Sequence, residues 1–216
     1  FQPTVDHLDY IELGRTTDGP YLDVLAQRLK NSYHNSVLHA DRTAQRLLTS
    51  LEQAGELERT VVVVTGDHGE EFQENGFWGH TSNFSPEQVE VPFLMGGPGV
   101  EPGRETRPTS HLDLPGSLLE LLGADPARRR DYSLGVSLFD PLLERARVMA
   151  GWSDLGLWTT DGIFNIPLDE GAQEIEVYDR SWNLLPDVER RAASQEEALR
   201  QMALECLRFL HFPNSG

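Results

Sequence analysis

Apolar residues recur every three or four positions between residues 22 and 54, at Leu22, Leu25, Leu29, Tyr33, Val37, Leu38, Ala44, Leu47, Leu48 and Leu51. That spacing describes an amphipathic helix with one face turned to a core, and Gly55 is a suitable stop. The period then changes. Val61, Val62, Val63 and Val64 follow one another without a polar break, which predicts a strand buried on both faces, as in the interior of a mostly parallel sheet. A second strand is predicted over 91–95. A helix is predicted over 114–122, with Asp113 or Ser110 as its cap and Pro115 in its first turn. Residues 124–135 read as a boundary loop, where Arg128, Arg129 and Arg130 either steer an anion or belong to a solvated turn. Short segments at 147–152, 156–160, 162–166 and 174–178 carry aromatic and β-branched residues, and Thr160, Asp161 and Gly162 signal a hairpin between two of them. Leu199, Met202, Ala203, Cys206, Leu207 and Leu210 give a final amphipathic helix over 192–210, with Cys206 on its apolar face. The expected class is α/β: a mostly parallel sheet flanked by helices, then a small antiparallel sheet and a last helix.

Candidate chemistry clusters where the valine strand ends. Gly66 breaks it, and Asp67 and His68 follow at once. In open α/β sheets ligands gather outside the carboxyl ends of the strands. An aspartate beside a histidine there offers one hard oxygen and one borderline nitrogen, half of a divalent-metal site. A strand-to-helix turn with an aspartate cap and a hydrogen-bonded histidine explains the same residues. The next segment, 74–84, is a loop by composition, yet it carries Phe77, Trp78 and Phe84, which are costly to leave in water. His80 sits in it between Gly79 and Thr81, twelve residues from His68, and the two converge only if the loop folds back over the strand end. Glu70, Glu71 and Glu74 can orient such ligands, although surface carboxylates are the simpler reading. His34 and His39 read as helix-surface or core-edge residues.

Composition narrows the partners. The 216 residues allow one domain with a substantial core. The formal charge of −17 argues against nucleic acid and anionic membrane surfaces as partners. No apolar stretch approaches the roughly 20 residues of a membrane span, and no signal-peptide pattern opens the chain. Any membrane anchor is therefore expected outside it. The single cysteine, Cys206, excludes an internal disulfide.

Thr65, Gly66, Asp67, His68, Gly69 and Glu70, then Glu74, Asn75 and Gly76, then Trp78, Gly79 and His80, then Asn83 and Phe84, together resemble the alkaline phosphatase/sulfatase superfamily. They look nearest to its membrane-anchored bacterial branch, beside the phosphoethanolamine transferases and lipoteichoic acid synthases. Val91, Pro92, Phe93 and Leu94 with Gly97, Pro98 and Gly99 are similar to the next core strand and its exit turn. Ser110, His111, Leu112, Asp113, Leu114 and Pro115 resemble the family's entry to a helix, with Gly116 where threonine is usual. Tyr33, His34, Asn35, Ser36, Val37 and Asp41 resemble the helix that precedes the metal strand.

The resemblance implies an alkaline phosphatase-like fold, present here in part. Residues 1–130 are expected to be the C-terminal part of its α/β core, and 131–216 a small antiparallel sheet plus helix packed on it. Asp67 and His68 are implied as ligands of a catalytic divalent cation. His80 is implied as a ligand of a second metal, as a donor to sulfate or phosphate oxygens, or as the catalytic group that protonates a leaving group. The mixed oxygen and nitrogen donors favour Zn²⁺ or Mn²⁺ over Ca²⁺ or Mg²⁺. The family's nucleophile lies upstream of the matched segment. Cys206 lacks the Cys-x-Pro-x-Arg context, and Thr4 precedes any plausible first strand. The expected function is thus the C-terminal portion of a metal-dependent sulfo- or phospho-ester hydrolase or transferase acting on a soluble or lipid-linked ester. A sulfatase-like binding or sensing protein without catalysis is the alternative. The expected setting is the periplasmic side of a bacterial inner-membrane protein.

Overall fold

The computed structural model describes residues 20–141, 145–168 and 174–209, the side chains of 20–22 and 205–209 excepted. Thr4 and the side chain of Cys206 lie outside the described residues. Contacts group the chain into two compact units, Phe1–His80 with Glu87–Pro102, and Thr81–Pro86 with Gly103–Gly216.

In the first unit the helix α1 (Pro20–Gln53) follows the three-and-four spacing of its apolar residues. Leu25 is buried, whereas Tyr33, Val37, Leu38 and Leu47 remain exposed. A 3-10 turn, Leu57–Arg59, leads into β1 (Val62–Thr65). This strand pairs antiparallel with β4 (Phe93–Gly96), Val62 opposite Gly96 and Thr65 opposite Phe93. One expectation has no counterpart among the described residues and another is corrected. No parallel pairing occurs among the described residues, and the valine strand is not covered on both faces, since Val64 and Leu94 are exposed. An unbroken apolar run states that neither face prefers water; it carries neither the direction of the neighbouring strand nor the identity of what covers it. A groove of about 670 Å³ runs over this surface, lined by Leu48, Leu57, Val62, Val64, Leu94 and Pro98 among others. Between the paired strands lie a tight ribbon of β2 (Glu71–Phe72) and β3 (Trp78–Gly79), and one helical turn, α2 (Pro86–Val89).

The second unit contains α3 (Asp113–Leu121), a 3-10 turn at Pro126–Asp131, and a four-stranded antiparallel meander. Its strands are β5 (Arg147–Ala150), β6 (Asp154–Trp158), β7 (Ile163–Pro167) and β8 (Glu176–Tyr178). The hairpin signal at Thr160, Asp161 and Gly162 falls between β6 and β7, where the Thr159 N–H donates to the Gly162 carbonyl at 2.9 Å. Leu157, Phe164 and Val177 bury one face of this sheet against Met202. The final helical segment forms in two pieces, α4 (Val188–Ser194) and α5 (Glu196–Phe209). Of the two expected caps, Asp113 is not the cap of α3, while Ser110 Oγ accepts from the Leu112 N–H at 3.2 Å just ahead of the helix. The cap residue is Leu112, without a side-chain cap bond, and the Asp113 carboxylate turns back to accept from the Ser110 and Val136 N–H groups, both at 2.8–2.9 Å. No helix among the described residues is long and apolar enough to cross a membrane. The architecture is α/β with helices and small antiparallel sheets.

Phe84, one of the loop aromatics, escapes water by packing on β6. A Cβ added at Gly156 would stand 2.8 Å from two Phe84 ring atoms and 2.9 Å from the Met149 Cε. Gly156→Ala should therefore overpack the site and destabilise by about 1–3 kcal/mol. Thermal denaturation of that variant, with an unchanged or raised melting point as the contrary result, checks it.

Candidate active site

Backbone register brings the two strand-end histidines together. In the β2–β3 ribbon Glu71 stands opposite Gly79 and Phe72 opposite Trp78. One step further along an antiparallel ladder places Glu70 opposite His80, and His80 Nδ1 lies 2.9 Å from Glu70 Oε2. The segment after β1 is held against α2 by the Gly69 N–H, which donates to the Gln88 carbonyl at 2.8 Å. A side chain at Gly69 would collide with the Glu87 backbone, so only glycine permits this approach. The loop thus folds back over the strand end. His68 and His80 stack with ring centroids 3.8 Å apart and planes inclined by 24°.

The hydrogen bonds also fix which nitrogens can bind a ligand. His68 Nδ1 lies 2.8 Å from the Gly69 carbonyl oxygen, which can only accept, so that nitrogen carries the proton. His80 Nδ1 faces the Glu70 carboxylate in the same way. With Nδ1 so held, Nε2 is the nitrogen that can offer a lone pair, the arrangement in which a carbonyl or carboxylate orients a metal-ligating histidine. His68, Glu70 and His80 each offer one donor atom, all within 4.8 Å of one another. Asp67 stands at the rim. Its side chain is 90% exposed, with Oδ2 3.6 Å from His68 Nε2, while Oδ1 accepts from the His68 N–H at 3.1 Å. Its own backbone N–H, then the neighbouring His68, hold its carboxylate below the usual range. This donor set suits a divalent cation with mixed nitrogen and oxygen preference.

Sequence reasoning placed Asp67, His68 and His80 in the site and named Glu70 among the carboxylates able to orient them; the structure gives Glu70 its contact with His80. Glu71, read as a surface carboxylate, is fully buried. Glu74 pairs with Lys30; burial raises it, but the Lys30 bond and the Phe72 N–H outweigh that and hold it low. His34 and His39 are exposed on α1, and His111 is exposed in the second unit. Arg129 is committed to Glu120 and Asp140. Phe77 is exposed. The signal that could have found this contact of Glu70 is the ribbon register, which needs the turn at 73–77 to be recognised first.

The sulfatase family model matches residues 3–124, more than half of the chain. The chain belongs to the sulfatase family. This sulfatase-family chain is 31% identical over 112 residues to the choline-sulfatase of Rhizobium meliloti (strain 1021), a match covering 52% of the chain and 22% of that relative. It is 31% identical over 124 residues to the extracellular sulfatase SULF-1 homolog of Drosophila melanogaster, covering 56% of the chain and 11% of the relative. Among solved structures it is similar to BT4656 in complex with its substrate D-glucosamine-2-N,6-O-disulfate, with TM-score 0.65 and 20% identity, over 91% of the chain and 44% of BT4656. A protein of the alkaline phosphatase superfamily from Vibrio parahaemolyticus matches with TM-score 0.59 and 21% identity, over 81% of the chain and 41% of that structure. These likenesses place the fold in the alkaline phosphatase/sulfatase superfamily, whose members are generally metal-dependent. The sulfatase-family chain spans about a fifth or less of these curated relatives and under half of these structures.

Proposed function

We infer that these residues supply one part of the active site of a metal-dependent sulfo- or phospho-ester hydrolase or transferase. The nucleophile then comes from residues outside the 216, and the parallel sheet of the complete fold is assembled with them. One observation carries this reading: two imidazoles stacked at a strand end, each with Nδ1 held by an acceptor oxygen, which makes Nε2 the nitrogen suited to a ligand. His68 and His80 would hold the cation with Asp67 at the rim; Zn²⁺ or Mn²⁺ suits these donors best. When bound, the cation supplies Lewis-acid neutralisation of an ester oxygen and lowers the pKa of a hydroxyl nucleophile.

The chain's own residues do the rest. Glu70 holds His80 by its Nδ1 and so aims the opposite nitrogen into the site. When that nitrogen holds no metal and the ring is protonated on both nitrogens, its N–H would instead donate to a non-bridging sulfate or phosphate oxygen or hand its proton to the leaving group. Asp67, largely in water and held below the usual carboxylate range, presents an ionised oxygen at the rim. A sulfate ester is the favoured substrate class, because the relatives named above are sulfatases. Lipid linkage and an extracytoplasmic setting belong to the same proposal and rest on the likeness to the membrane-anchored branch.

The test is made in a full-length protein containing these residues. With aryl sulfates and aryl phosphates and added Zn²⁺ or Mn²⁺, Asp67→Ala and His80→Ala each abolish turnover. Full activity in either variant defeats the reading, and absence of turnover in the unaltered protein favours a binding role centred on the exposed Phe77.

A further inference from the structure

Glu71 has no exposed surface, and none of the ester chemistry above uses it. Its Oε1 accepts from two backbone N–H groups, Asn75 at 2.8 Å and Phe77 at 3.1 Å. Its Oε2 accepts from Gln88 Nε2 at 2.8 Å. The first two bonds hold the turn that leads through Trp78 and Gly79 into His80. The third reaches the residue whose carbonyl receives the Gly69 N–H, immediately after His68. One carboxyl group is therefore bonded, at one remove, to both segments that deliver an imidazole.

That turn needs holding. Gln73 has φ 73° and Gly76 has φ 86°, and a non-glycine residue in the left-handed region persists only where its surroundings over-determine it. A buried carboxyl that met no donors would itself be strongly destabilising; here three donors converge on two oxygens. The arrangement fits an acceptor-only group, which Glu71 provides when ionised.

We propose that Glu71 is the positioning residue of the two-histidine site, fixing the turn 73–77 and the Gln88 backbone so that the His68 and His80 rings stack. The proposal rests on the reading of His68 and His80 as a ligand pair. It adds that the geometry of this pair is set from a buried carboxyl on the far side of the ribbon. Leucine at this position keeps the bulk and removes every acceptor. Glutamine keeps the oxygen used by Asn75 and Phe77 and with it the two bonds that hold the turn.

The test uses the full 216-residue chain with labelled histidines, unaltered and as Glu71→Leu, Glu71→Gln and Gln88→Leu. Two quantities are read on the folded protein: the nuclear Overhauser effect between the His68 and His80 rings without metal, and the affinity for Zn²⁺. The expected result is that Glu71→Leu loses the inter-ring effect and binds Zn²⁺ about 10–100-fold more weakly, the usual loss for an outer-shell partner. Glu71→Gln retains both, and Gln88→Leu weakens both, which keeps the test alive if Glu71→Leu does not fold. A carboxyl serving stability alone would lower the melting temperature and leave the inter-ring effect intact, and that outcome overturns the proposal. Loss of ring contact in a chain that never binds Zn²⁺ overturns the metal reading and leaves the positioning role standing.

Discussion

Replacing Asp113 with alanine lowers the stability of the second unit by about 3 kcal/mol, the lower end of what removing one partner of a buried ion pair does. Asp113 is 1% exposed and is paired with Arg145. The lower end applies because the Arg145 side chain is 24% exposed, so water can solvate the charge left behind. The remaining penalty comes from the Ser110 and Val136 N–H groups, whose acceptors disappear; an unmet partly buried donor is worth about 1–3 kcal/mol. Asp113→Asn keeps one acceptor and should fall between alanine and the unaltered chain. Denaturant unfolding followed by the near-ultraviolet signal of Trp158 and its neighbours measures both variants. Equal stability of Asp113→Ala and the unaltered chain would show that the carboxylate does not hold the 110–145 segment.

The second large effect is on ligand binding. His80→Ala should remove measurable Zn²⁺ affinity, because it deletes one of two nitrogens converging at the strand end. Glu70→Leu, which leaves no acceptor for Nδ1, should weaken binding by about 10–100-fold, the range for a carboxylate that orients a ligating histidine. In the structure Glu70 contacts Nδ1 of His80 at 2.9 Å, so its removal releases the ring while leaving the ligand atom in place. Isothermal titration of the two variants separates these outcomes. Equal losses would mean that Glu70 is itself a ligand, and no loss in either would mean that the stacked pair does not bind the ion.

Much of this is written locally in the chain. The three-and-four spacing from Leu25 to Leu51 yields α1, and the Thr160, Asp161 and Gly162 turn yields the β6–β7 hairpin, because each depends on neighbours in sequence. The strand-end position of Asp67 and His68 follows from the valine run and Gly66 in the same way. What the chain does not write locally is pairing direction. Four valines are as compatible with the antiparallel β1–β4 ladder as with a parallel one. Glu71 is the sharper case. It lies between Glu70 and Phe72, and neighbours on a strand point to opposite faces, so two adjacent glutamates can have opposite fates. Its burial depends on Gln88, seventeen residues away, and no local pattern carries that. Asp113 was legible as a residue that organises the helix entry, but its partner Arg145 is thirty-two residues on, which converts a cap into a tie between segments.

Zinc-edge X-ray absorption of the Zn²⁺-loaded chain tests the ligand pair most directly. Two nitrogen scatterers at about 2.0–2.1 Å with imidazole outer shells, one of them lost in His68→Ala and one in His80→Ala, is the result expected from the stacked histidines. An all-oxygen shell, or a spectrum indifferent to both substitutions, would contradict it.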